Sequence, residues 1–258
     1  MVDHIDLDAF FDEDQIHPWI GCTTDRGIPK GYWKDFTVYE QSHHDLSAKG
    51  STLKKWKANV PDGRHLVARL DPQLIEHPDL LKNEKSEDFN TLLHRCVVRC
   101  LALGSQALLI HTPSHFRPSS THEKQMIEAI RLIRESLSQS RLKANQEDDA
   151  LSVNQHETQI VWRADGLWEE SESYLDLCTE HNLIASVDPL MWPDDEPLPT
   201  SSHYYWRILG QRGLSTRLSD YDLDRLAEFS SEMACPGWVL FASPHLLPVA
   251  RKWRTWFA

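Results

Sequence analysis

Three features of the chain predict a single-domain (β/α)8 barrel, an α/β fold of the TIM type. Eight short apolar runs alternate with segments of helical periodicity. The runs are apolar throughout rather than at every second residue. The length of 258 residues matches one barrel domain of roughly 250 residues. Continuous apolarity marks strands covered on both faces, as in parallel sheets, and strand–helix alternation marks βαβ units. A doubly wound open sheet is the alternative. Neither GxGxxG after the first strand nor GxxxxGK[ST] occurs, which removes the usual nucleotide-binding forms of that alternative.

In chain order, strands are read at Trp19–Thr23, Thr37–Gln41, His65–Leu70, Ala107–Thr112, Gln159–Arg163, Leu183–Asp188, Tyr204–Leu209 and Trp238–Ala242. Each is bounded by Gly, Pro, Asp or Asn and is rich in β-branched, aromatic or Leu residues. Helices are read at Ser51–Ala58, Glu87–Leu103, Thr121–Arg141, Ser171–Glu180, Asp220–Met233 and Pro244–Trp256. Ser120 and Thr121 offer hydroxyl caps with Glu123 close behind, and Ser219 precedes acids suited to a first helical turn. Lys143–Glu157 and the Pro-containing Leu190–Ser202 read as loops, the second a rim for a site. Residues 1–15 read as an acidic arm ahead of a barrel domain spanning 16–258.

Composition narrows the function classes. Forty per cent hydrophobic and 26% charged residues are globular values, not those of a disordered chain or a coiled coil. The 27 Lys+Arg against 39 Asp+Glu leave a net charge of −12, which counts against nucleic acid as a partner. Arg251, Lys252 and Arg254 read as the solvated face of a last helix. Five Cys without a CxxC pair fit no closed disulfide framework. Cys96 and Cys100 read as small buried hydrophobes, and Cys22 as a buried thiol ending strand one. An acid-rich beginning without a basic segment, and no 18-residue apolar span, lead to the expectation of a cytoplasmic protein without a membrane partner.

Several local segments follow one another in a familiar order. Ile20-Gly21-Cys22 is followed by Tyr32-Trp33, then Val38-Tyr39-Glu40-Gln41-Ser42, then Leu53-Lys54-Lys55-Trp56 and Pro61. Leu103-Gly104-Ser105-Gln106-Ala107-Leu108-Leu109-Ile110-His111-Thr112-Pro113 continues to Phe116 and Pro118; Arg163 with Trp168, Asp188-Pro189, and Tyr205-Trp206-Arg207 with Gly210 come after. From about Ile20 onward the chain resembles the domain-of-unknown-function 72 (DUF72) family, the YecE-like TIM-barrel proteins. The resemblance implies a closed barrel, akin in fold to sugar-isomerase and apurinic-endonuclease barrels. The chain departs from the family's pattern after Glu40, at His111, Ala164 and Leu209, and at Ala242-Ser243, where the family often carries other polar side chains.

Barrel enzymes place their chemistry at the carboxyl ends of strands. There the sequence offers Glu40, Arg69, His111, Arg163, Asp188 and Arg207, with Asp25, His43, Asp71, Asp165 and Trp168 in adjoining loops. Glu40 reads equally as a general base or metal ligand and as an ion-pair partner of Arg69 or Arg207. Arg69, Arg163 and Arg207, from strands three, five and seven, are forked donors suited to phosphate or carboxylate, or else pair with Glu40 and Asp188. His111 reads as an acid/base residue or as a satisfied core histidine. His43-His44 with His111 and Asp188 make a weak divalent-ion set, with no HExxH or HxH spacing behind it. Trp168 and Trp192 are candidates to stack on a ring or to pack the rim, and Asp165-Gly166 reads first as a turn.

The expected function is binding of a small anionic ligand at the mouth through Arg69, Arg163 and Arg207, with Trp168 and Asp188 beside them. If the protein catalyses, Glu40 and His111 move protons in a hydrolytic or lyase-type step. One alternative is a non-catalytic barrel that meets a protein partner through the acidic arm and the Pro-containing loop. A second is a metal-dependent phosphodiesterase, against which stand the net charge and the missing His/Glu cluster. No cofactor is indicated.

Overall fold

A computed structural model describes residues 17–24, 27–146, 157–169, 171–210 and 218–257. The acidic arm, Asp25 and most of the Lys143–Glu157 loop lie outside the described residues. All eight expected strands are present: β1 Trp19–Cys22, β2 Val38–Glu40, β3 His65–Arg69, β4 Ala107–Thr112, β5 Gln159–Ala164, β6 Ile184–Val187, β7 Tyr204–Ile208 and β8 Gly237–Phe241. They run in the order β1-β8-β7-β6-β5-β4-β3-β2 and every registered pair is parallel. The ring closes between β1 and β2, where the Thr37 amide donates to the Ile20 carbonyl at 2.8 Å and the Ile20 amide donates to Thr37 Oγ1 at 2.6 Å. This closure decides for the barrel over the open sheet.

The helices of the described residues are α1 Tyr32–Asp35, α2 Gly50–Ala58, α3 Glu87–Leu103, α4 Ser120–Gln146, α5 Glu172–Glu180, α6 Asp220–Ser231 and α7 Leu247–Arg254. Their ends follow from local chemistry. At α3, Ser86 accepts from the Phe89 amide, Glu87 and Asp88 occupy the first turn, and Gly104 at φ 60° closes the C-terminus in the left-handed region that only glycine adopts readily. At α6, Ser219 and Asp222 form a reciprocal capping box. The α4 cap is Ser119, one residue before the expected pair, its hydroxyl accepting from the His122 amide at 3.2 Å. The β6–β7 connection carries a three-residue 3-10 turn, Pro189–Met191, and no α-helix, in keeping with its prolines.

Two apolar bodies flank the strands. Inside the ring pack Val38, Val67, Ala107, Leu109, Val161, Ile184, Tyr205, Trp238 and Leu240. The alternate residues, such as Leu66, Ala68, Leu108, Ile110, Trp162 and Trp206, face the helices. Strand side chains alternate between faces with a period of two, so residues two positions beyond the inner apolar set also point inward.

Two tyrosines complete seams that the ladder leaves short. At β1/β2 the Tyr32 hydroxyl accepts from the Cys22 amide at 3.0 Å and donates to the Val38 carbonyl at 2.7 Å. At β5/β6, registered only through Val161–Ile184 and Trp162–Ala185, the Tyr174 hydroxyl accepts from the Ser186 amide at 3.0 Å and donates to the Trp162 carbonyl at 2.6 Å. Each phenol joins backbone groups that would otherwise be buried without partners. Gly21 permits the close approach at the first seam, since a Cβ there would stand 2.3 Å from the Val38 carbonyl oxygen.

Candidate functional site at the barrel mouth

The period of two carries the inner face from Val38 to Glu40, from Val67 to Arg69, from Leu109 to His111, from Val161 to Arg163 and from Tyr205 to Arg207. These five side chains lie at the carboxyl mouth, Glu40 and Arg69 as the last residues of their strands and His111, Arg163 and Arg207 one residue before the end. Five of the expected site residues are therefore gathered into one layer.

Glu40 is fully buried. Arg207 grips it with a fork, Nε to Oε2 at 3.0 Å and Nη2 to Oε1 at 2.9 Å, and the Tyr205 hydroxyl donates to Oε2 at 2.6 Å. Burial pushes the Glu40 carboxyl up, but Arg207, Arg69 and the donated hydrogen bonds outweigh it and hold its pKa below the ordinary value. Arg207 is correspondingly held up: burial works against its charge, and Glu40 more than compensates. Of the two readings open for Glu40, the geometry matches the ion pair. Both oxygens are occupied, so the carboxylate serves as an anchor rather than as a base free to take a proton.

A second chain of contacts crosses the mouth. Arg69 Nη2 meets His111 Nδ1, His111 Nε2 meets Asp165 Oδ2 at 2.8 Å, and Arg163 Nη2 meets Asp165 Oδ1 at 3.1 Å. A guanidinium only donates, so Nδ1 accepts, the ring is neutral, and its proton sits on Nε2 facing Asp165. Burial lowers the His111 pKa, Asp165 opposes this, and the Arg69 and Arg163 charges add to the lowering. Burial raises Asp165, but the His111 hydrogen bond and the Arg163 charge bring it to about 2. Asp165 is thus the partner of His111. Sequence reading missed this pairing because Asp-Gly is foremost a turn signal, although Arg163 and Asp165 are two apart, at the spacing of one strand face.

Arg69 and Arg163 differ from Arg207 in what satisfies them. Among the described residues no carboxylate lies within ion-pair distance of the Arg69 guanidinium, whose side-chain partner is the imidazole. Arg163 is 8% exposed and its Nε is buried without a protein partner. Burial lowers the pKa of both and the neighbouring guanidiniums press in the same direction, opposed at Arg69 by the Glu40 charge and at Arg163 by Asp165 and Glu40.

Asp188 and Trp168 are placed differently from the expectation. Asp188 is buried at the end of β6, but its oxygens accept the Leu190 amide at 3.1 Å and the Leu209 amide at 2.8 Å. It ties the β6 and β7 loops together, and burial, partly offset by those amides, raises its pKa. Trp168 does not line the mouth: the 3-10 turn Gly166–Trp168 returns it to the outer layer. There it is 1% exposed and packs edge-on against Trp162, ring centroids 5.2 Å apart. Trp192 packs on that outer core and donates to the Pro197 carbonyl at 3.2 Å. His43 and His44 are exposed on the 3-10 turn after β2, away from the buried Glu40. Among the described residues no three His, Cys, Asp or Glu side chains are grouped to hold an ion.

The remaining expectations fall into place by burial. Cys22, Cys96, Cys100 and Cys178 are buried, and burial lifts Cys22 and Cys100 to about 12. Arg251 pairs with Asp35 at 2.7 Å and Lys252 with Asp220 at 2.6 Å on an exposed face of α7. No helix of the described residues is long and apolar enough to cross a membrane.

No protein-family model matches the chain, and no curated protein matches it in sequence. Solved structures do. A DUF72 family protein from Thermotoga maritima MSB8 superposes with a TM-score of 0.64 at 12% identity, covering 93% of this chain and 99% of that one. A DUF72 family protein from Enterococcus faecalis V583 gives a TM-score of 0.54 at 12% identity, covering 86% of this chain and 83% of that one. The chain therefore shares its (β/α)8 barrel fold with these DUF72 family proteins over nearly its whole length.

Proposed function

We propose that the chain is a divergent DUF72 family barrel that binds a small anionic ligand at its carboxyl mouth, with Arg69 and Arg163 as the groups that meet it. The observation that carries this reading is the unequal satisfaction of the three guanidiniums. Arg207 is consumed by Glu40, whereas Arg69 rests on an imidazole and Arg163 keeps a buried Nε without a partner. Burying a cation without a matched anion is costly, and an incoming phosphate or carboxylate supplies the missing charge in the bidentate geometry that arginine favours. Arg207 and Glu40 form the floor that keeps the two available guanidiniums at the mouth. If the bound ligand is turned over in a hydrolytic or lyase step, the proton carrier is His111, oriented by Asp165.

A thermal-shift titration with sulfate and inorganic phosphate tests this. A ligand at a hundred times its Kd stabilises the native state by about 2.7 kcal/mol, so the melting point of the wild type rises. Arg69→Ala and Arg163→Ala each remove the rise. A rise of equal size in both variants contradicts the reading.

A further inference from the structure

The geometry points to a proton-coupled site: the mouth takes up a dianionic phosphoryl group together with one proton, which lands on His111 Nδ1. This rests on the anion-binding reading above and adds to it the ligand class and the acid that faces the ligand.

The argument starts from the two ring nitrogens. Nε2–H is committed to Asp165 at 2.8 Å, while the Nδ1 lone pair is capped by Arg69 Nη2. Arg69 is half-buried at the mouth, and that imidazole is its side-chain hydrogen-bond partner. An anion held between Arg69 and Arg163 offers Arg69 a stronger, charge-assisted acceptor than a neutral imidazole. The guanidinium then turns to the anion and releases Nδ1. The uncapped nitrogen stands beside fresh negative charge, and that charge favours the imidazolium. A solvent proton binds Nδ1, and the new N–H donates to the anion. The only covalent change is this proton transfer: a bond to hydrogen in hydronium or a buffer acid breaks and the His111 Nδ1–H bond forms. The Arg69–His111 hydrogen bond breaks, two bonds to the ligand form, and His111 keeps Nε2–H on Asp165 throughout.

The charges around the ring set the stoichiometry. Arg69 of β3, Arg163 of β5 and Asp165 after β5 act on His111 directly. Glu40 of β2 and Arg207 of β7 neutralise each other. Asp188 after β6 is held by two backbone amides, and Glu169 acts on Arg163 from the loop after β5. The ligand therefore meets Arg69, Arg163 half-shared with Asp165, and the imidazolium it induces. A doubly charged phosphoryl oxygen set matches three such donors better than a single carboxylate does.

The test uses sulfate, a dianion that does not titrate near neutrality, so any proton taken up comes to the protein. Calorimetric titration of the full chain in two buffers of different ionisation enthalpy reads that uptake. The expected result is uptake approaching one proton per sulfate. Affinity should rise about tenfold per unit fall in pH between the liganded and free pKa of His111, and be flat above that window. His111→Asn retains an acceptor for Arg69 but cannot be protonated; it should bind sulfate without proton uptake and with no pH slope. Ring NMR of the wild type gives an independent reading, with the His111 pKa moving up on saturation. Sulfate binding without proton uptake overturns this inference and leaves the anion site standing, whereas absence of binding overturns both. Comparing inorganic phosphate with glycerol phosphate above pH 8, where both are dianions, separates a free-ion site from a phosphomonoester site. Binding of neither, with sulfate bound, contradicts the ligand class.

Discussion

The two mouths of the barrel are built by the same strand alternation from opposite chemistry. At the amino end the ring is stopped by aromatics. Trp19 stacks on His65 with centroids 3.9 Å apart, His203 stacks on Trp238 at 4.8 Å, and the two indoles lie 5.3 Å from each other. At the carboxyl end the corresponding layer is Glu40, Arg69, His111, Arg163 and Arg207. Stacked rings fill space and need no counter-charge. Buried charges must be paired or used, and at this mouth the pairing is incomplete. The comparison teaches where to look for function in a barrel whose motifs name no reaction: at the end where burial has been spent on groups that packing alone does not require.

Truncation at each end gives the largest expected effects and separates the two roles. Glu40→Ala strands Arg207 and should cost about 3–5 kcal/mol in denaturant unfolding, while tightening sulfate binding because a third guanidinium is freed. Trp238→Ala opens a cavity at the plug and should cost a similar ~3–5 kcal/mol, but should leave sulfate affinity unchanged. If Trp238→Ala weakens sulfate binding as much as Arg69→Ala does, the division between the ends fails.

The seams give the next largest effect. Tyr174→Phe leaves the Ser186 amide and Trp162 carbonyl unmatched and should cost about 1–3 kcal/mol, with a matching loss of amide-exchange protection at Ser186. Protection unchanged in the variant means the phenol does not complete the ladder.

Acid should act on the charged mouth and also on the plug, where burial lowers the His203 pKa. The folded-state pKa of Asp165, about 2, lies below its ordinary value. Its contribution is therefore fully present above about pH 4 and lost as pH falls towards 2. His111, lowered by burial, acts in the same sense just below its ordinary value, since the unfolded chain binds that proton first. Urea midpoints of the wild type and Asp165→Asn should converge between pH 5 and pH 2; a constant gap contradicts the assignment. The smallest effect concerns thiols. Cys22, Cys100 and Cys178, each raised to about 12 by burial, should stay unmodified by an aromatic disulfide reagent at neutral pH, while the less buried Cys235 reacts first.

Much of this was legible in the chain because parallel strands advertise themselves. Each of the eight runs is buried on two faces, and each strand lies within a residue or two of its expected limits. The same periodicity placed Glu40, Arg69, His111, Arg163 and Arg207 at strand ends. What sequence could not resolve is set by loops and by third partners. Trp168 sits five residues past Arg163, and only the turn at Gly166 decides that it folds back to the outer layer. Asp188 points to the mouth in register, yet its oxygens were claimed by the amides of Leu190 and Leu209, one of them 21 residues away. Tyr32 and Tyr174 look like ordinary helix-face aromatics until the seams they complete are seen. Asp165 reveals its role only when β4 lies beside β5.

The central claim is that Arg69 and Arg163 together form the anion site. A crystal structure of the protein grown in sulfate tests it most directly. The account predicts an anion between the two guanidiniums, with Arg69 turned away from His111 Nδ1 and Arg207 still forked on Glu40. A mouth without an anion while Arg69 remains on the imidazole, or sulfate held only at other surfaces, would contradict it.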